Sequence, residues 1–359
     1  MELINATRMA AGYNVGLEVG GRELLVIVVK GTFVLPRAGE PVVLHENQVP
    51  LVVADTFSGE PGFSAPVHEV DFAPRKRACD VLLVGHARAP EGRAVTRLRA
   101  GLSVGTVRKA FDVVGDRVWE AGLTGIVASA AEPFVSMPVS YETAFGGSHP
   151  RAPDSPEQAV YAVNPVGRGW HKDAKPAELR GKPLPNTEEV GKPVSSPSES
   201  YIPMALGPLG RGWPQRARYA GTYDQRWLDD DFPFLPDDFD ERYHQAAPED
   251  QQLSFSDSPM MVALTGFTAD GNRHFKLPHF SAPVQVFPKR GQRELHAGIL
   301  DTVVIEPDHE RLTLTWRVSR PLKKSIFEIA QVRVGTRGHE RLETTARVES
   351  GKNSLAATT

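Results

Sequence analysis

Residues 95–114 read VTRLRAGLSVGTVRKAFDVV, and their spacing sets the expected fold class. Leu98, Ala100, Leu102 and Val104 alternate with Arg97, Arg99, Gly101 and Ser103, the period of two that marks a strand with one buried face. A second β-branched run follows Gly105, so the two runs are expected to pair as a hairpin. Gly115-Asp116, then Val118 and Trp119, predict a further reversal. With the apolar run DVLLVGHARA at 80–89, the region 80–120 reads as an antiparallel meander. Upstream, ELLVIVVKGT at 23–32 is a continuous apolar run ended by Gly31 and Pro36, which suits a strand buried on both faces. No alternation of strands with helices is visible.

Strand patterns return after residue 253. Residues 260–267, Asp270-Gly271 and residues 274–277 predict a hairpin with a type I′ turn. Residues 300–305, the turn 307–310 and residues 312–318 predict another. Here Leu312, Leu314, Trp316 and Val318 share one side, and Thr313, Thr315 and Arg317 the other. Residues 322–330 read as a short helix. The expected fold is therefore mainly β: an antiparallel sandwich or barrel-like sheets, with a long irregular Pro/Gly/aromatic-rich central insertion and few short helices. The expected divisions are a β-rich part at 1–149, the irregular segment at 150–253, a second β-rich part at 254–346 completing the same domain, and a flexible tail at 347–359.

The central segment differs in texture. Twelve of the thirty prolines fall between Pro150 and Pro214, which predicts neither a central strand nor a long helix but a path over a surface. Order is expected around residues 164–170 and mobility around 192–200. Residues 201–253 hold Trp213, Tyr219, Tyr223, Trp227, Phe232, Phe234, Phe239 and Tyr243 with no sustained period. That aromatic load is too high for a disordered linker.

The 359 residues can bury a full core, and a net charge of −3 offers no field to steer a polyanion, so nucleic acid is set aside. Arg75-Lys76-Arg77, the one compact basic run, is read as a solvated turn. No basic-then-apolar leader and no span-length apolar run is visible, so no membrane partner is expected. A single cysteine, Cys79, excludes an internal disulfide and suits a reducing cytoplasm.

Catalytic and metal motifs are weak. Gly101-Leu102-Ser103-Val104-Gly105 fits G-x-S-x-G, but a strand follows it where a nucleophile elbow needs a helix. His68, Asp71 and His86 come nearest to a metal triad without a ligand spacing that puts them on one face. The glycine-rich residues 207–212 lack the Lys-Ser/Thr of a phosphate loop. The aspartates at 229–231, 237, 238 and 240 sit beside prolines, where capping and turn formation explain them better than calcium binding. No cofactor, metal or catalytic residue is expected. Trp213, Arg216, Arg218, Tyr219, Tyr223 and Trp227 are instead of the types enriched in binding hot spots, and they are the expected contacts with a protein partner. The segment is read as a clasp packed on the β framework whose exposed remainder meets that partner. A hydrolase using carboxylates near Asp224, Asp237 and Asp240 is the competing class.

Several motifs, in order, carry a family resemblance: DVLLVGH (80–86) with Pro90, YETAFGG (141–147), NPVGRG (164–169), LPN (184–186), AGTYD (220–224) with Trp227, FPFLPDDFD (232–240) and APEDQ (247–251). Together they span about residues 23–318, and the chain resembles the family catalogued as domain of unknown function 2169. Asn164, Pro165, Gly167, Gly169, Asp224 and Asp240 are the structural positions of these motifs. Members of that family are typically encoded beside type VI secretion spike and effector genes. The resemblance implies a cytoplasmic adaptor or chaperone that binds a secretion effector or spike-tip protein and loads it. A structural component of the spike is the third reading.

Overall fold

The computed structural model describes residues 1–123, 125–150, 158–172, 174–256 and 258–335. A six-stranded sheet runs, edge to edge, Gln252–Leu253, Cys79–Leu83, Ile299–Glu306, Arg311–Pro321, Glu23–Val34 and Ala10–Leu17. A five-stranded sheet runs Thr187–Glu189, Val107–Val114, Arg97–Val104, Met261–Thr268 and Gly271–Lys276. A four-stranded sheet runs Glu2–Asn5, Ile329–Val334, Pro283–Pro288 and Glu294–Ala297. The protein is mainly β, and none of these sheets closes into a barrel.

One core joins the three sheets. Leu25, Ile27, Val29, Val303, Leu314 and Trp316 of the first meet Leu102, Phe111 and Leu264 of the second and Val284, Val286 and Val332 of the third. The alternation that predicted the hairpin at 97–114 is the inward face of this core: Ala100, Leu102 and Val104 are buried while Arg97 and Arg99 point out. The hairpins at 261–276 and 299–321 form as expected. Glu23–Val34 is buried on both faces.

Several expectations about the strands change. Residues 80–120 are not a meander. Cys79–Leu83 belongs to the six-stranded sheet, Gly85–Arg88 pairs with Ser136–Val139, and Trp119–Gly122 pairs with Gly125–Ala128. Only the 97–114 hairpin survives, because its apolar face is completed by Met261–Thr268 and not by its sequence neighbours. The turn at 270 is not type I′: among the described residues the left-handed conformation falls on Gly271 (φ 88°) and not on Asp270. Residues 322–330 are not a helix but a single 3-10 turn, Ile326–Glu328, leading into the strand Ile329–Val334. Finally, Cys79–Leu83 lies parallel to Ile299–Glu306, and Glu2–Asn5 parallel to Ile329–Val334, so the sheets are mixed. The expected tail at 347–359 lies outside the described residues.

The second face of the six-stranded sheet decides where the central segment goes. Asp80 lies opposite Thr302, Thr302 opposite Thr315, and Thr315 opposite Lys30, a polar row across four strands. All four side chains are nonetheless buried, so something polar must cover them. Residues 45–78 and 201–253 do so. Thr32 Oγ1 accepts from Val49 N at 2.9 Å, and the Asp71 carboxylate accepts from Lys30 Nζ at 2.9 Å and Val52 N at 2.7 Å. Arg317 holds Asp301 at 2.5 Å and donates to the backbone of Asp71 and Ala73.

The proline-rich segment therefore does not simply run over a surface. Trp170, Leu184, Val194 and Tyr201 form a satellite core with Trp119 and Phe145, and Leu206 enters the main core. Residues 192–200, expected to be mobile, are held by contacts: Val194 N donates to Glu188 at 2.9 Å, and the Tyr201 hydroxyl accepts from Ser195 N at 3.2 Å.

Candidate partner-binding surface

The base of the surface is a set of side-chain clamps on the polar face. Asp80 is wholly buried and accepts from Lys76 Nζ at 2.7 Å, Gln245 Nε2 at 2.8 Å and Ala246 N at 2.9 Å. Gln251, also wholly buried, donates to Val81 O at 2.9 Å and Leu206 O at 3.1 Å and accepts from Lys109 Nζ at 3.0 Å. Of the basic triplet, expected to be solvated, only Arg77 is exposed. Lys76 is buried, Arg75 bridges Glu18 at 2.6 Å and Glu241 at 3.4 Å, and Arg77 approaches Asp240 and Glu241. A sheet face carrying Asp80 and Asp301 needs buried cations beside it, which the local sequence of the triplet does not reveal.

Among the motif residues, Asn164 is an interior fastener. It is fully buried, and its Nδ2 donates to Tyr141 O at 2.8 Å and Phe145 O at 3.0 Å. Gly167 is required beside it, since a Cβ there would collide with the Asn164 amide and the Ala144 carbonyl. Pro165 and Gly167 make the turn that brings Arg168–Gly169 parallel to Phe145–Gly146, and Gly169 packs against Pro185. Asp224 and Asp240 act as caps: Asp224 Oδ1 accepts from Trp227 N at 3.0 Å, and Asp240 Oδ1 from Arg242 N at 2.8 Å. Hydrogen bonds from Arg242 outweigh partial burial and hold the Asp240 carboxyl down at about 2.

The six expected partner contacts separate. Trp213 is 7% exposed and sits edge-on to Tyr141 with ring centres 5.0 Å apart. Arg216 is 3% exposed and donates to Leu209 O, to Tyr243 O and to Glu69 at 2.5 Å. These two hold the clasp, and neither is presented outward. Arg218 and Tyr219 stand at the rim of a cleft of about 310 Å³ whose walls include Lys109, Ile202, Pro203 and Pro248. The guanidiniums of Arg218 and Arg242 lie over the Tyr219 ring, 4.7 Å and 4.2 Å from its centre, and Arg218 pairs with Glu249 at 2.6 Å. Burial pulls the Lys109 ammonium below its ordinary pKa although Asp250 lies 2.9 Å away.

Tyr223 and Trp227 belong to a projection, residues 222–239, built around a five-residue helical turn, Trp227–Asp231. Trp227 is its pillar. Tyr223 and Phe232 meet it edge-on at 4.8 Å and 5.5 Å, and its Nε1 donates to Phe234 O at 2.9 Å. Phe232 remains 62% exposed, Tyr223 54%, Leu228 53% and Phe234 42%. The foot of the projection is Phe234 on Gly21: a Cβ at Gly21 would lie 2.5 Å from that ring, and its φ of 79° also favours glycine.

The weak chemical motifs fall apart in space. Ser103 accepts a hydrogen bond from Arg108 across its hairpin. His68 meets Glu306 at 3.2 Å, Asp71 meets Lys30, and His86 meets Asp308 at 2.7 Å, each with its own separate partner. Among the described residues no group of three or more His, Cys, Asp or Glu is placed to hold a metal ion. Glu69, Arg242, Gln245 and Gln251 were not singled out from the sequence. The one available signal was Gln251 at the end of APEDQ.

No curated protein and no solved structure matches this chain. Residues 20–317 match the model of a bacterial family described as "Uncharacterized protein conserved in bacteria (DUF2169)", and since that match covers most of the chain, the protein belongs to this family.

Proposed function

We propose that the protein is a non-catalytic adaptor or chaperone of the cytoplasm that binds a type VI secretion effector or spike-tip protein and holds it for loading. The observation that carries this reading is the projection at 222–239: Tyr223, Leu228 and Phe232 are each more than half exposed on a base locked to the sheet by buried polar clamps. Exposed aromatic surface of this kind marks interaction sites. Rings fixed before binding lose little entropy on association. The second support is the motif resemblance, whose members are encoded beside spike and effector genes. No described helix is long and apolar enough to cross a membrane.

Co-expression with the product of the adjacent spike or effector gene tests the reading. A stable complex that co-purifies is the expected outcome. Absence of any complex with each neighbouring product, under conditions where both partners fold, ends it.

A further inference from the structure

The projection carries a second property besides its exposed rings. Within residues 223–238 stand Asp224, Asp229, Asp230, Asp231, Asp237 and Asp238, against a single cation, Arg226. Arg226 neutralises little, since it is 76% exposed and reaches Asp230 and Asp237 only at 3.9 Å and 4.0 Å. Asp238 is held ionised by the Thr222 amide at 2.8 Å and hydroxyl at 2.7 Å, and Asp229 accepts from Gln225 at 2.9 Å. These carboxylates share one exposed segment with Tyr223, Leu228 and Phe232 and give that apolar surface a negative rim.

We propose that the projection is the docking site for a cationic, apolar segment of a protein partner, one in which lysine or arginine alternates with aliphatic or aromatic side chains; this deepens the adaptor reading and rests on it. Charge complementarity selects the occupant. An anionic lipid surface or a nucleic acid would meet the rim with like charge. A segment with basic side chains places ammonium or guanidinium groups on the rim, and its apolar side chains against Phe232, Leu228 and Tyr223. Cations can also lie over the exposed faces of Tyr223 and Phe232. Because the rim is exposed, its contribution falls as salt rises past the point where the Debye length is about 8–10 Å.

The test uses the full chain and a synthetic peptide alternating lysine and leucine, followed by fluorescence anisotropy at low and physiological salt. The peptide is expected to bind more tightly than oligolysine or a glutamate–leucine peptide, and to weaken as salt rises. Combined Asp229→Asn, Asp230→Asn and Asp231→Asn should weaken it about tenfold, and Phe232→Ser by a similar factor, about the loss of one hot-spot contact. Unchanged denaturation midpoints verify that both variants fold. Equal binding by the wild type and both variants overturns the proposal. So does tighter binding to phosphatidylglycerol vesicles than to the peptide, or self-association abolished by Phe232→Ser. Binding of the peptide without any co-purifying neighbour would sustain this surface and end the adaptor reading. A neighbour complex indifferent to both variants would do the reverse.

Discussion

Arg216 and Arg226 lie in one irregular segment and have opposite fates. Arg216 is 3% exposed, with Leu209 O, Tyr243 O and Glu69 all accepting from it, whereas Arg226 is 76% exposed and among the described residues has no carboxylate closer than 3.9 Å. Trp213 and Trp227 repeat the contrast: one is edge-packed on Tyr141 inside the clasp, the other props up exposed rings. Residue type does not separate the two regions. What separates them is their partners: Trp213 packs in a buried cluster with Tyr141, Ala144, Ala205 and Leu209, and Arg216 is bound to Leu209, Tyr243 and Glu69, whereas Trp227 packs mainly against rings of its own projection. The clasp is stability and the projection is surface, and substitutions should tell them apart.

The largest effect is expected at Asp80. Asp80→Ala strips a wholly buried carboxylate from Lys76, Gln245 and Ala246 and leaves the buried ammonium without its direct carboxylate partner. A loss of about 3–5 kcal/mol in urea denaturation should follow. Trp213→Ala should cost about 3 kcal/mol as a large core deletion, against less than about 1 kcal/mol for Trp227→Ala, with the two midpoints compared in one experiment. Equal costs for the two tryptophans would dissolve the distinction between the regions.

A pH titration sharpens it next. Burial, then the nearby cations Arg211, Arg216, Lys76 and Arg317, hold His244 of the clasp down to about 3, below its ordinary 6.5. Below 6.5 the unfolded chain binds a proton that the folded chain refuses, so stability falls progressively from pH 6.5 towards 3. His244→Gln should flatten the denaturation midpoint between pH 6.5 and about 4.5, below which the depressed carboxyls of Asp240, Glu294 and Glu306 add their own loss.

Gly21→Val should act on the foot of the projection, costing about 1–2 kcal/mol through its left-handed backbone and displacing Phe234. Its sharper readout is faster proteolytic cleavage within residues 222–239. The smallest effect is expected from Leu228→Ser, within about 0.5 kcal/mol by denaturation, because that side chain is already in water.

Much of the framework was legible because period and turn chemistry are local. The alternation at 97–104 and the turn at 307–310 each specify a strand or a reversal from a few residues. Partnering was not legible. Nothing in DVLLVGH says that Cys79–Leu83 will lie beside Ile299–Glu306 and Gly85–Arg88 beside Ser136–Val139, since register between distant strands is a property of the assembled core. The alternation at 312–318 was visible, but the burial of Thr313, Thr315 and Arg317 was not, because a polar face reads as solvent-facing until its cover is known. In the candidate surface the aromatic segment stood out by composition. Its division into Trp213 and Arg216 within, and Tyr223 and Trp227 without, depended on distant partners such as Tyr141 and Glu69 that the local sequence does not name.

The placement of Cys79–Leu83 between Ile299–Glu306 and Gln252–Leu253 has a consequence for synthesis. A ribosome delivers the clasp and the strand it fastens to well before the strand that completes the sheet beneath them. The emerging chain therefore carries an unpaired strand edge and an aromatic-rich segment with no finished seat until residues 299–321 are made. Such long-range pairing is slow and leaves sticky surface open meanwhile. Truncation before residue 299 would thus strand the middle of the molecule as well as remove its end.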